Sequence, residues 1–178
     1  MTQQQLDAQT LRLEDLSEHS SPELLAAARE LLIEYGRFVV AQPGAARFCF
    51  GSLEKEADEL PHSYLKQGGG CLLATTGATP AAFVAWRALA SSPHVRPDAW
   101  EMKRLWVRPV ARGLSLGRRL TQAVIDRALA ADRKAIYLDT APASMSAAYQ
   151  MYLQMGFNPC PAYNETPVDG LVWMVKTL

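Results

Sequence analysis

The residues of this chain best suited to chemistry lie together at Arg112-Gly113-Leu114-Ser115-Leu116-Gly117-Arg118-Arg119, just after Val107-Arg108-Pro109. Small residues at 113, 115 and 117 let the backbone curl so that several N–H groups converge. A helix starting there adds its own unpaired N–H groups and the positive end of its dipole. Together these suit a pyrophosphate, and Arg112, Arg118 and Arg119 add charge. The order is not the GxGxxG dinucleotide fingerprint, and no Gly-Lys-Ser/Thr follows as in a Walker P-loop. On spacing alone two readings stand. One is a phosphate-binding turn, the other a Gly-rich strand-to-helix turn that carries surface arginines.

Other chemistry is sparse. Cys49, Cys71 and Cys160 are far apart with no CxxC pair, and His19, His62 and His94 are isolated, so neither a disulfide framework nor a metal site is expected. The chain has 18 Lys plus Arg and 18 Asp plus Glu, a balance that argues against a nucleic-acid partner. Glu54, Lys55, Glu56, Asp58 and Glu59 read as a solvated helix face. With 178 residues, 49% of them hydrophobic and 20% charged, a single domain over 1–178 with an ordinary core is expected. The N-terminal MTQQQLDAQT lacks a basic segment leading into an apolar run, and no apolar run approaches a membrane span of about 20 residues. The expectation is a cytoplasmic, reducing location, no membrane partner, and a monomer or homodimer.

The elements that would position the turn can be read in order. Leu11 and Leu13 alternate with polar residues, as in a first strand. Ser20-Ser21-Pro22-Glu23 starts a helix that runs to about Val40. A second helix spans Leu53 to Leu60 and ends at Pro61. After the break at Gly68-Gly69-Gly70, Cys71–Thr76 and Ala81–Leu89 form a hairpin across Gly77 to Pro80. Trp100–Val107 is the next strand, on which alternation places Glu101, Lys103, Leu105 and Val107 on one face. Leu116, Leu120, Val124 and Ala128 mark the helix after the turn. Ala135–Asp139 is a strand, and Met145, Ala148, Tyr152 and Met155 mark a further helix face closed by Gly156 as a left-handed cap. Phe157 opens another strand, Asn164 to Gly170 is a loop, and Leu171–Lys176 is the last strand. Trp100 to Asp139 is a strand–helix–strand unit, so its two strands should be parallel with a right-handed crossover. The class is α/β, with a mixed, largely antiparallel sheet of six to seven strands flanked by about four helices.

Val107-Arg108-Pro109 followed by Arg112-Gly113-x-Ser115-x-Gly117-Arg118 resembles the core motif of the GCN5-related N-acetyltransferase (GNAT) family, Q/R-x-x-G-x-G/A entered from a strand ending in V-x-P. Ala148-x-x-Met151-Tyr152-x-x-x-Gly156-Phe157 resembles the family's A-x-x-L-Y-x-x-x-G-F helix. The element order also fits, so the resemblance covers nearly the whole chain. Two positions depart from it. The middle glycine of the turn is Ser115, which tolerates positive φ poorly, predicting a reshaped turn or altered cofactor affinity; its hydroxyl is a candidate helix cap. An Asn common seven residues before the helix tyrosine is Met145.

The resemblance implies transfer of an acetyl group from acetyl-CoA to an amine of a small molecule or peptide, without a metal. It places the pantetheine arm against backbone at Leu105, Trp106 and Val107, where the two parallel strands splay. It places the pyrophosphate over Arg112, Gly113, Leu114, Ser115, Leu116, Gly117 and Arg118. It also makes Glu101, six residues before Val107, a candidate general base, with a strand-end carboxylate paired to Lys103 as the alternative and a water relay as another route. Tyr152 becomes a candidate acid toward the thiolate, with a core aromatic as the alternative and Tyr149 as the fallback. The acceptor pocket is expected near Phe48 to Leu60 and Tyr163 to Gly170, with Phe48, Phe50, Tyr163 and Asn164 as lining groups. A non-catalytic acyl-CoA-binding module and an unrelated nucleotide-binding domain are the competing readings.

Overall fold

Ser21 sets the start of the first helix. Its extended backbone and hydroxyl, which accepts from the Leu24 N–H at 3.3 Å, cap α1 (Pro22–Val40), with proline at the first position. In the computed structural model, which describes residues 11–42, 50–165 and 169–178, α1 buries Ala28, Leu31, Leu32, Gly36 and Val39. The other helices are α2 (Phe50–Asp58), the single turn α3 (His62–Leu65), α4 (Leu116–Ala130) and α5 (Ser146–Gln154). The segment expected as one helix to Leu60 is thus two, with α2 ending at Asp58 and Pro61 standing at the N-terminal cap of α3.

The strands are β1 (Leu11–Asp15), β2 (Gly70–Thr76), β3 (Thr79–Leu89), β4 (Ala99–Val107), β5 (Ala135–Thr140), β6 (Asn158–Cys160) and β7 (Val172–Thr177). They form a sheet in the order β1-β2-β3-β4-β5-β7-β6. Every neighbouring pair is antiparallel except β4–β5, which is parallel and joined through α4. Helices cover both faces. Leu72, Ala74, Val84 and Ile136 pack against Leu116, Leu120, Val124 and Ala128 of α4. Cys71, Leu73, Phe83 and Ala85 pack against Ala28, Leu31 and Leu32 of α1 and Leu53 and Ala57 of α2. Burial on both faces explains why β2 and β3 read as almost unbroken apolar runs.

One irregularity shapes the site. Phe83 pairs with Trp106 and Ala85 with Lys103, so two steps along β3 face three along β4. The extra residue is a β-bulge, and Arg104 within it takes a left-handed φ of 60°. An inserted residue flips everything beyond it to the other face. Leu105 and Val107 therefore join Trp100 and Met102 on the α4 face. Trp106 packs on the α1 face, and its indole donates to Glu34 at 3.0 Å. This corrects the expectation from simple alternation, since Glu101 and Lys103 do not share a face with Leu105 and Val107.

The bulge also opens the sheet. β4 and β5 pair at Ala99–Ala135, Trp100–Ile136 and Glu101–Tyr137, and no further. β5 stays paired with β7 to its end at Thr140–Val172. β4 likewise stays paired with β3, to Val107–Ala82, so the sheet parts between β4 and β5, past Glu101, where the bulge raises the local twist.

Candidate active site

The gap between the parallel strands leads into a cleft of about 550 Å³. Leu105, Trp106 and Val107 form one wall, and Ala148 and Met151 on α5, with Met145 just before it, form the other. Arg112, Gly113, Ser115, Leu116, Gly117 and Arg118 close one end. Of the residues expected at a cofactor, Leu114 stands apart, because its side chain packs against the core beneath the turn.

The turn is built from two left-handed residues, Gly113 at φ 87° and Ser115 at φ 58°. Gly113 carries no penalty there, whereas a side chain in this region costs about 1–2 kcal/mol. Ser115 therefore takes a conformation that glycine would take without strain. Its hydroxyl makes no capping bond, contrary to the expected helix cap. Its carbonyl accepts from the Arg119 N–H at 3.0 Å. Helix geometry leaves the N–H groups of Leu116, Gly117 and Arg118 without intrahelical partners, at the positive end of the α4 dipole. Arg112 lies over the Trp106 ring with 5.5 Å from guanidinium carbon to ring centre, and Arg118 donates to Gln154 at 2.7 Å. Arg108 is turned away, held by Glu34 and Glu30. The arrangement is a concave, cationic set of donors at the end of a largely apolar cleft, of the kind that suits a phosphate group.

A throat of about 50 Å³ adjoins the cleft and shares Tyr35, Leu105, Met145 and Ala148 with its wall. Tyr152 and Met145 line it beside Tyr35, Lys103, Arg104, Leu138, Asp139 and Thr140.

Residues 24–157 match the Acetyltransferase (GNAT) family. The chain belongs to that family. It is 34% identical over 86 residues to an uncharacterized N-acetyltransferase of Schizosaccharomyces pombe, a match covering 48% of this chain and 52% of the relative, so it spans about half the length of that relative. Its fold is similar to that of an acetyltransferase from Streptococcus agalactiae, at TM-score 0.72 and 20% identity, covering 96% of this chain and 99% of the other. It is also similar to the PaiA N-acetyltransferase of Thermoplasma acidophilum in complex with coenzyme A, at TM-score 0.71 and 14% identity, covering 95% and 99% of the two chains.

Within this GNAT fold, the second motif holds Tyr152 in place. Gly156 at φ 82° lets the Phe157 N–H return to the Tyr152 carbonyl and the Gly156 N–H to that of Leu153, both at 3.0 Å, a Schellman stop that ends α5. The Phe157 ring then packs edge-on against Tyr152 at 5.6 Å. Tyr152 is 5% exposed and sits both in the core and in the throat wall. Burial raises its pKa well above that of a free phenol, and the nearby Tyr35 and Asp139 add to this, so it holds its proton at neutral pH. Tyr149 packs against the core and lines neither cavity.

Glu101 sits differently. It is 1% exposed, lies at the last joined rung between β4 and β5, and is in the wall of neither cavity. Arg87 donates to it at 2.7 Å, Lys103 at 3.2 Å, Asn164 at 3.1 Å and Tyr163 at 3.3 Å. Burial alone would raise its pKa, but the charges of Lys103 and Arg87 outweigh this and hold it below the usual carboxylate range. Tyr163 and Asn164 are thus tied to Glu101, and Asn164 also donates to Asp139 at 3.4 Å and accepts from the Trp173 indole at 2.8 Å. Burial, then Glu101 and Asp139, push the Tyr163 hydroxyl pKa up.

Phe48 lies outside the described residues, as does the side chain of Phe50, the first residue of α2. In the acidic run, Glu54, Lys55 and Asp58 are exposed, as a solvated face requires. Glu59 is intermediate and pairs with Lys66 at 3.1 Å, and Glu56 departs furthest. It takes both branches of Arg104, at 3.0 and 2.9 Å, and accepts from Tyr64. Burial disfavours its charge, yet its bonds to Arg104 lower its pKa overall. Sequence reasoning passed over Arg104, Tyr35, Asp139 and Thr140. For the last two a signal existed, since ligands gather at the carboxyl ends of parallel strands and Asp139-Thr140 is the polar end of an apolar one. Among the described residues no group of His, Cys, Asp and Glu could hold a metal, and no helix is long and apolar enough to cross a membrane.

Proposed function

We propose that this protein moves an acetyl group from acetyl-CoA to a primary amine of a small molecule or peptide by direct attack. The observation that carries the reading is the pair of adjoining cavities that place the Gly113–Ser115 turn, the open flank of β4 and Tyr152 in sequence. The residues present fit the acyl donor. Arg112, Arg118 and the first N–H groups of α4 supply donors for a pyrophosphate. Beyond Glu101 the β5-facing flank of β4 is unpaired, which leaves backbone groups of Leu105 to Val107 to bond the amides of a pantetheine arm.

Transfer asks three things of the site. The amine must react without its proton, since an alkylammonium has a pKa of about 10.4 and no lone pair. The thioester oxygen needs donors as charge builds on it. The departing sulfur needs a proton. Tyr152 supplies the last, because it keeps its proton at neutral pH and faces the throat. A carboxylate or a bound water takes the proton from nitrogen. Glu101 is the carboxylate the family comparison nominates, but its four donors and its place outside both cavities favour a holding role.

The test is thiol release from acetyl-CoA with a panel of primary amines, beside a thermal-shift comparison of acetyl-CoA with ATP and NAD. Stabilisation by acetyl-CoA together with amine-dependent thiol release is the expected result. Stabilisation by a nucleotide alone would sink the acyl-CoA reading. Tight acetyl-CoA binding without turnover for any amine would instead favour the non-catalytic binding module.

A further inference from the structure

We propose that Asp139, near the C-terminal end of β5, takes the proton from the attacking amine, and that Glu101 is a positioning residue for the acceptor side. This deepens the acetyl-transfer reading and rests on it.

Position separates the two carboxylates. Glu101 lies on the last rung where β4 and β5 are still joined, opposite Tyr137. Asp139 lies two residues further along β5, where the strands have parted, and it lines the throat. Alternation puts Asp139 on the same sheet face as Tyr137, whose ring packs edge-on against Tyr163 at 5.2 Å. This is the face expected to receive the acceptor. Tyr152 reaches the same throat from α5, which packs on the opposite face. A carboxylate and a protonated phenol thus approach one narrow passage from its two sides, one suited to the nitrogen and the other to the sulfur.

The surroundings agree. The ionisable groups facing Asp139 include Tyr35 from α1, Lys103 and Arg104 from β4, Tyr152 from α5 and Tyr163 from the loop before β7, with Asn164 donating to it. The negative charge of Asp139 contributes to raising the pKa of Tyr35, Tyr152 and Tyr163, which places it near all three. Beside it, the buried Thr140 hydroxyl has no partner among the described residues. A buried polar atom without a partner is uncommon and marks a place where a ligand or water is met. The throat, at about 50 Å³, has room for water.

The amine binds in its neutral form. As its nitrogen bonds to the acetyl carbon, that nitrogen becomes positive and acidic, and Asp139 takes its proton. The C–S bond then breaks, and the sulfur takes the Tyr152 proton. Tyr152 is reprotonated from solvent, and Asp139 returns its proton there. Glu101 exchanges none; it fixes Tyr163 and Asn164, and through Asn164 the carboxylate of Asp139.

The experiment begins with wild-type protein, acetyl-CoA binding by calorimetry and the amine panel. The absence of thiol release with every amine of the panel would sink the transfer reading and this proposal with it. Once turnover is established, D139N should lower kcat by about 10²–10⁴-fold, leave acetyl-CoA affinity unchanged and remove the acid limb of the kcat–pH profile. D139A should fall similarly and regain turnover on addition of formate, a small carboxylate able to stand in for the missing group. Retained acetyl-CoA binding shows each variant folded; if D139A does not bind, D139N alone decides. E101Q should raise KM for the amine and keep the shape of the wild-type profile. An intact acid limb in D139N, or a folded D139A that formate does not restore, would overturn the assignment while leaving acetyl transfer in place.

Discussion

Replacing Glu101 by glutamine keeps the shape of a buried side chain and removes its charge. Removing one partner of a buried ion pair costs about 3–5 kcal/mol where the stranded charge cannot escape. Here escape is partial. The Arg87 side chain is 34% exposed and Lys103 19%, against 1% for Glu101, so both cations can hydrate once released. That reduces the expected loss to about 2–3 kcal/mol. For a chain of this size it corresponds to a fall in Tm of about 5–10 °C. The effect must also depend on pH in one direction. The folded carboxyl lies below the usual range because Lys103 and Arg87 outweigh burial, while the unfolded group titrates near about 4.3. Its stabilising contribution is therefore complete above the unfolded value and is lost as pH falls through the folded one. Scanning calorimetry of E101Q and wild type between about pH 3 and 8 should show a full gap in Tm at neutral pH that closes toward the acid end. A gap below about 1 °C at pH 7, or one of constant size at every pH, would refute the reasoning.

Tyr152→Phe should lower kcat by about 10²–10⁴-fold with acetyl-CoA affinity unchanged, as read by stopped-flow thiol release and calorimetry, because only the proton is removed from a well-packed ring. Ser115→Gly should leave Tm equal or raise it by up to about 3 °C in thermal melts: relief of left-handed strain of about 1–2 kcal/mol is partly offset by a looser unfolded chain, and no capping bond is lost. Arg112→Ala should weaken acetyl-CoA by about 1.5–3 kcal/mol in calorimetry at low salt, with the deficit shrinking as salt rises. Arg104→Lys should lower Tm by several degrees, since lysine cannot reproduce the two-pronged bond to Glu56.

What could be read before the structure divides along a physical line. Elements announced by period and punctuation were legible. Pro22 to Val40 carries a helical repeat behind a Ser-Pro start and is α1 to the residue. Gly156 marks a left-handed stop and takes φ 82°. The tight turn into α4 was legible because small residues and a following amphipathic helix leave a pattern in the chain. The break near Asp58 was not, because a helix that stops and restarts around Leu60 keeps its apolar residues at helical spacing.

The bulge at Arg104 shows why the throat was harder to read than the wider cleft. A bulge depends on pairing with β3, a partner fixed only in three dimensions, and arginine gives no local warning of a left-handed residue. Yet that one residue turns Leu105 and Val107 toward α4 and parts β4 from β5 just past Glu101. Alternation without the bulge puts Glu101 on the face of Leu105 and Val107, beside the cofactor arm, and makes it the natural base. With the bulge, Glu101 stays in the closed part of the sheet among its four donors, and the carboxylate at the opening is Asp139. The sequence motif that nominated Glu101 counts residues from Val107, but proton transfer depends on which side of the parting the carboxylate lies. That is why the pH profiles of D139N and E101Q, rather than further motif comparison, decide between them.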